Sequence, residues 1–278
     1  STGNYKWFRG TSWSTADPPA SRFTTTNGVL TILRTAEGGG SLVGTPHDFS
    51  EGALPTLPGE DGFYSEFDVR LSDNHSDHWP AVWLMPVEHN LALDDVYPGD
   101  PANYERWMEL DVDEGGFGPG SLASIISWQG IWTGSGYPAP QIYNSYNLAQ
   151  STSLDRTQVH SYGASYDPIA SRVTWWLDGV QYFTADASHV PAIGAIQNFY
   201  PILSNQTHGA NVPYSMYVSG VRAYVPPARE PLVSGATLGT VSNAFTRWQG
   251  GRITVGSSNL TVTELGRMMA PGNTGSHT

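Results

Sequence analysis

Residues 105–118 read ERWMELDVDEGGFG, and their reading decides the fold. Glu109, Asp111, Asp113 and Glu114 crowd four carboxylates into six positions, while Met108, Leu110 and Val112 alternate with the first three. Alternation with period two marks a strand that is apolar on one face and polar on the other. In a regular strand Glu109, Asp111 and Asp113 share the polar face, and Glu114 points into the core. One extra residue, a β-bulge between Asp111 and Glu114, returns Glu114 to the acidic face beside Glu109 and Asp111. Without it, Asp113 takes that place. Either way a sheet presents several carboxylates side by side, an arrangement suited to general acid–base and nucleophilic chemistry on a glycosidic bond.

The rest of the chain agrees with an all-β protein. Nine strand-like segments recur between turn-rich stretches: GVLTILRT (28–35), GFYSEFDVRLS (62–72), HWPAVWLMP (78–86), RWMELDVDE (106–114), SLASIISWQG (121–130), QVHSYGASYDP (158–168), SRVTWWLDGVQYFTA (171–185), NFYPILSNQT (198–207) and YSMYVSGVRAYVP (214–226). HWPAVWLMP is apolar throughout, as for a strand covered on both faces. No long stretch has helical periodicity, so the expected architecture is a sandwich of two antiparallel sheets. The Pro-rich segment PPAREP punctuates the chain; the sandwich is expected over 1–226, a linker over 227–231, and a β-like extension or the start of an accessory module over 232–278.

Composition narrows the function. Among 278 residues only 14% are charged, with 31 Gly, 20 Pro and 10 Trp. The aromatic content exceeds what a core of this size needs, leaving flat platforms for a sugar ring. A net charge of −12 argues against nucleic acid, whose binding depends on Lys and Arg. It argues less strongly against sulfated or uronate-rich polymers, because a basic patch can hide in an acidic total. There is no Cys, hence neither disulfide nor thiolate metal site. No zinc spacing, phosphate loop or G-x-S-x-G is present, and no apolar run reaches the ~18 residues of a membrane span. The first ten residues, STGNYKWFRG, show no basic-then-apolar leader: export by that route is absent, or the leader was removed.

ELDVDE (109–114) resembles the E-x-D-x-x-E signature of glycoside hydrolase family 16, which includes laminarinases, agarases and κ-carrageenases. Three further segments resemble that family in the same order: DHWPAVWLMP (77–86), its W-P-A-x-W strand; VHSYGASYDPIASRVTWWLDGVQYF (159–183), its H-x-Y…W-x-x-D-G hairpin, with Tyr166 where Trp is common; and YPILSNQTHG…MYVSGVRAYVP (200–226), its closing strands. The resemblance implies a concanavalin-like β-jelly roll with a cleft across its concave sheet. It places Glu109 at the nucleophile position, Asp111 at the assisting position and Glu114 at the acid/base position. The implied activity is that of an endo-acting, retaining glycoside hydrolase on a β-linked polysaccharide, without cofactor or metal; the polymer substrate in turn implies a secreted protein, and a monomer is expected. Where the family's last strand often carries a calcium-holding Asp, this chain has Ser219-Gly220, so no calcium is expected there. Ser127-Trp128 stands where several members have a His-containing strand, so substrate contacts are expected to differ.

Trp107 lies two residues before Glu109 and is expected on the acidic face as a sugar platform. Trp128 and Trp132 follow the acidic strand and are candidate stacking residues. His78, Asn205 and Gln206 are candidate hydrogen-bonding partners of sugar hydroxyls. Trp79 and Trp83 read as core, His160 as a residue satisfied within the hairpin, and one of Trp175 and Trp176 as core with the other outside. Two rival readings use the same sandwich: a lectin-like module that binds glycans without cleaving them, and a polysaccharide lyase working through Tyr, His and basic residues.

Overall fold

A computed structural model describes residues 6–11, 13–14, 16–44, 55–89, 95–115, 121–131, 142–145, 154–209 and 211–226. The linker and extension expected over 227–278 lie outside the described residues, as does Trp132.

Two antiparallel sheets face each other. The eight-stranded sheet runs in the order β1 (Phe8–Arg9), β4 (Gly40–Val43), β14 (Asn198–Thr207), β7 (His78–Pro86), β8 (Tyr104–Glu114), β9 (Leu122–Ile131) and β10 (Ile142–Ser145), with β5 (Leu57–Pro58) also on β14. The seven-stranded sheet runs β13 (Val180–Ala185), β12 (Arg172–Leu177), β11 (His160–Asp167), β6 (Phe63–Leu71), β15 (Tyr214–Tyr224), β3 (Val29–Arg34) and β2 (Phe23–Thr26). This is the two-sheet sandwich that the alternation predicts, in the jelly-roll form that the resemblance implies. Among the described residues, no helix is long and apolar enough to cross a membrane.

Period-two burial is clearest in β6, where Phe63, Ser65, Phe67, Val69 and Leu71 are buried and the residues between them are not. Leu84, Met108, Leu110 and Ile125 from the eight-stranded sheet pack in one core with Phe67, Val69, Tyr162, Ala164 and Trp175 from the other. Burying large apolar side chains in this way stabilises by about 1.5–3 kcal/mol each.

The segment 171–185, read as a single strand, folds as a hairpin. Asp178 and Gly179 both have positive φ (51° and 76°), so the chain reverses there and β12 pairs back onto β13. Asn27 and Gly28, also at positive φ (51° and 78°), turn β2 into β3, a hairpin that the alternation of 28–35 alone did not reveal. The closing segments 198–207 and 214–226 are neighbours in sequence but belong to different sheets, β14 against β7 and β15 against β6.

Candidate active site

The acidic strand β8 sits between β7 and β9 and is irregular where its chemistry is densest. Val82 pairs with Asp113 and Trp83 with Asp111, so Val112 has no opposite residue on β7. The pairing with β9 also shifts between Asp111 and Glu114. This bulge directs both Val112 and Asp113 toward the other sheet and leaves Glu114 on the same side as Glu109 and Asp111. Gly115 follows at once, and its N–H donates to the Pro80 carbonyl at 2.9 Å. A Cβ there would meet Pro80 Cδ at 2.6 Å and the His78 carbonyl oxygen at 2.8 Å, so the strand can leave Glu114 in this direction only through glycine.

Asp113 is thereby removed from the cleft. It is 1% exposed, and the guanidinium of Arg156 faces it with both terminal nitrogens, Nη1 at 3.1 Å from Oδ1 and Nη2 on Oδ2. Ser121 Oγ donates to the same Oδ1 at 2.5 Å. A buried carboxylate needs a partner of this kind, and Asp113 has a structural one.

Glu109, Asp111 and Glu114 line one cavity of about 300 Å³ together with Thr11, Trp13, Ser14, Ser41, Trp79, Ala81, Trp83, Ser204 and Gln206. A second space of about 430 Å³ shares Ser14, Ser41 and Gln206 and extends past Pro18, Arg22 and Arg34, so the acids lie in a groove that continues beyond them. Each acid has its own donor. Trp128 Nε1 donates to Glu109 Oε2 at 2.7 Å, Ser124 Oγ to Asp111 Oδ2 at 2.5 Å, and Trp79 Nε1 to Glu114 Oε1 at 2.9 Å. Asp111 is further pinned through its backbone, whose carbonyl accepts from Trp175 Nε1 at 2.9 Å across the core. The Gln197 side chain completes the edge of β8 nearby, accepting from Met108 N at 3.0 Å and donating to the Arg106 carbonyl at 3.1 Å.

Burial raises the proton affinity of all three acids. It pushes the Glu109 carboxyl up to about 7, opposed by the Trp128 N–H and reinforced by the charge of Glu114. Asp111 is raised well above the ordinary range by burial and by the charges of Glu109 and Glu114. Glu114 is raised by burial, with the Trp79 N–H working against the rise. Asp111 and Glu109 also hydrogen-bond to each other, in the sense that holds a proton on Asp111 and favours the charge on Glu109. Three carboxyls this close titrate as a set, and near neutral pH the set retains at least one proton.

The remaining residues expected at the site fall into three groups. Gln206 lines the cavity. Trp128 is not among the residues that line it but donates to Glu109, which does. Trp107 does share the acidic face, but it is no open platform: it is 4% exposed and stacked between His89 at 3.5 Å and Trp128 at 5.7 Å. His78 and Asn205 lie on the opposite, core side of their strands. His78 is 2% exposed, bonded to Asp73 at 2.6 Å and stacked on Tyr214. Asn205 is fully buried, accepting from Gly40 N and donating to the Ile32 carbonyl, both at 2.8 Å. Neither lines the cavity; one register step separates them from Trp79, Ser204 and Gln206, which do.

The converse correction concerns Trp79 and Trp83, read as core from an apolar run. Both line the cavity, and Trp83 donates to Ser204 Oγ at 3.1 Å. Trp13, 51% exposed and 5.8 Å from Trp83, joins them from the N-terminal segment. It has no strand context in the sequence that would single it out. His160 is held by Asp178 at 2.7 Å, as expected of a satisfied hairpin residue. Trp175 is fully buried and Trp176 partly exposed, in line with their opposite directions.

No protein-family model matches the sequence, and no curated protein does. Solved structures share its fold. A family 16 glycoside hydrolase from the Bacteroides ovatus mixed linkage glucan PUL, in complex with a G4G4G3G product, superposes with TM-score 0.53 at 18% identity, over 78% of this chain and 94% of that one. A laminarinase from Flavobacterium sp. UMI-01 gives 0.52 at 15% identity, over 80% and 93%. A 1,3-α-1,4-β-D-galactose-4-sulfate-3,6-anhydro-D-galactose 4 galactohydrolase gives 0.51 at 17%, over 80% and 91%. The sandwich is therefore the one found in family 16 glycoside hydrolases, as the motif order suggested.

Proposed function

We propose that the protein is an endo-acting, retaining glycoside hydrolase of β-linked polysaccharide. The observation that carries this reading is the bulge at Val112, which lines Glu109, Asp111 and Glu114 on a single groove and withdraws Asp113 into an ion pair. The fold's other occupants, described by their names as a glucan hydrolase, a laminarinase and a galactohydrolase, support the reaction class.

In this reading Glu109 attacks the anomeric carbon. Its anion is favoured by the Trp128 N–H and by the proton on Asp111. Glu114, whose raised proton affinity keeps it an acid, protonates the leaving oxygen and then takes the proton from the water that releases the sugar. Asp111 lies between the two and passes its influence to both through charge and hydrogen bonding. Trp13, Trp79 and Trp83 offer aromatic surface to the sugars. A groove that runs on past the acids supports cleavage within a chain, and a polymer too large to enter a cell places the reaction outside it.

The test is reducing-end release over a panel of polysaccharides by the wild type, Glu109→Gln and Glu114→Gln, with circular dichroism as the check on folding. Both variants are expected to lose most turnover while remaining folded. Wild-type turnover in either one defeats the assignment. An inverted anomer among the first products, or an unsaturated product absorbing in the ultraviolet, replaces the mechanism.

A further inference from the structure

We infer that His89, Asp95 and Glu105 form a binding site for one divalent transition-metal ion, of the Zn²⁺ type, at the opposite end of β8 from Glu114. His89 ends the short 3-10 turn Val87–His89 that follows β7, Asp95 precedes β8, and Glu105 is the second residue of that strand. One ligand atom from each lies within 4.8 Å of the others. His89 Nδ1 is 2.9 Å from Asp95 Oδ2 and 4.0 Å from Glu105 Oε2. Tetrahedral zinc with bonds of about 2.0–2.2 Å sets its ligand atoms roughly 3.4 Å apart, a separation these two values bracket.

Burial makes the cluster unlike a solvated acidic face. Asp95 is fully buried and Glu105 is 5% exposed. The second carboxylate oxygen of Asp95, Oδ1, is buried with no hydrogen-bond partner. An acceptor in that state costs about 1–3 kcal/mol, and more when charged. A divalent cation answers the unmet acceptor. One imidazole nitrogen with two carboxylates favours Zn²⁺, and next Mn²⁺, over Ca²⁺, which takes six to eight oxygens.

The position also gives such an ion a consequence. The His89 ring stacks on Trp107 (3.5 Å, 19°), Trp107 stacks on Trp128 (5.7 Å, 16°), and Trp128 donates to Glu109. An ion that fixes the His89 ring fixes the first plate of this stack. Its role is to position, since Glu105 is four residues before Glu109 on the same face of β8 and none of the three ligands lines the cavity with the acids.

The experiment strips the full chain with EDTA and titrates it calorimetrically with Zn²⁺, and separately with Mn²⁺ and Ca²⁺. The wild type, Asp95→Asn and His89→Gln are compared, with circular dichroism on each. One equivalent of Zn²⁺ per wild-type chain is expected, with affinity reduced at least about tenfold in each variant and a zinc-induced rise in Tm that both variants lack. Should the variants fail to fold, X-ray absorption on the zinc-loaded wild type decides: one imidazole nitrogen among carboxylate oxygens supports the site, and any other imidazole count overturns it. A folded, stripped wild type that takes up no transition metal overturns it too, as does uptake of Ca²⁺ alone or unchanged zinc affinity in the folded variants.

Discussion

Trp128→Phe tests how the groove holds charge on Glu109. The substitution keeps an aromatic plate against Trp107 and removes one N–H, the donor 2.7 Å from Glu109 Oε2. A hydrogen bond to a charged group contributes about 1.5–3 kcal/mol, and 1.36 kcal/mol corresponds to one pKa unit. Full loss would move Glu109 by about one to two units. Glu109 is only half-buried and keeps its bond from Asp111, so about one unit is the figure expected. The sign is upward, because the lost donor favoured the ionised form; Glu109 starts near 7 and its ionisation moves into the alkaline range. The acid limb of kcat/KM against pH should shift up by about one unit, measured on a polysaccharide that the wild type cleaves, with loss of rate greatest at low pH. A ¹³C titration of the Glu109 carboxyl reads the same shift without any substrate. An acid limb and a carboxyl midpoint both within about 0.2 units of wild type would refute the idea that this N–H sets the charge of Glu109.

The other predictions probe the same strand. Trp79→Phe removes the donor to Glu114 Oε1, so Glu114 should hold its proton to higher pH and the alkaline limb should move up; an unmoved or lowered limb contradicts this. Glu109→Gln should stabilise increasingly as pH rises from about 4.5 to about 7. In that window the folded wild type binds more protons than the unfolded chain and loses stability with pH, whereas glutamine does not titrate. Two and a half units set a ceiling of about 3 kcal/mol, read by chemical denaturation at several pH values; a constant difference across the window is the contrary result. Asp113→Asn should lower stability by about 3 kcal/mol by leaving Arg156 buried against a neutral group, while the pH limbs of activity stay in place; a shifted limb with unchanged stability would return Asp113 to the cleft.

Much of the architecture was legible because it rests on local rules. Alternation along GFYSEFDVRLS became β6 with strict period-two burial, and Asp178-Gly179 carried its own turn signal although the segment around it read as one strand. Short edge strands such as β1 and β5, two residues each, left no pattern long enough to read. The tryptophans show the harder limit. Trp79 and Trp83 sit in an apolar run whose two faces are indistinguishable in composition, while Trp107 sits on the correct face but under His89.

By itself, then, the sequence determined an antiparallel sandwich, the acidic strand and its four carboxylates, since these depend on alternation and residue type over a few consecutive positions. Tertiary structure decided which acids act together. Val112 drops out of the ladder with β7, Asp113 meets Arg156 from 43 residues further along, and Trp128 and Trp79 bring their N–H groups from the two flanking strands. The facing of a side chain beyond a bulge, and the proton affinity of a buried acid, depend on partners distant in the chain, which a local pattern does not encode.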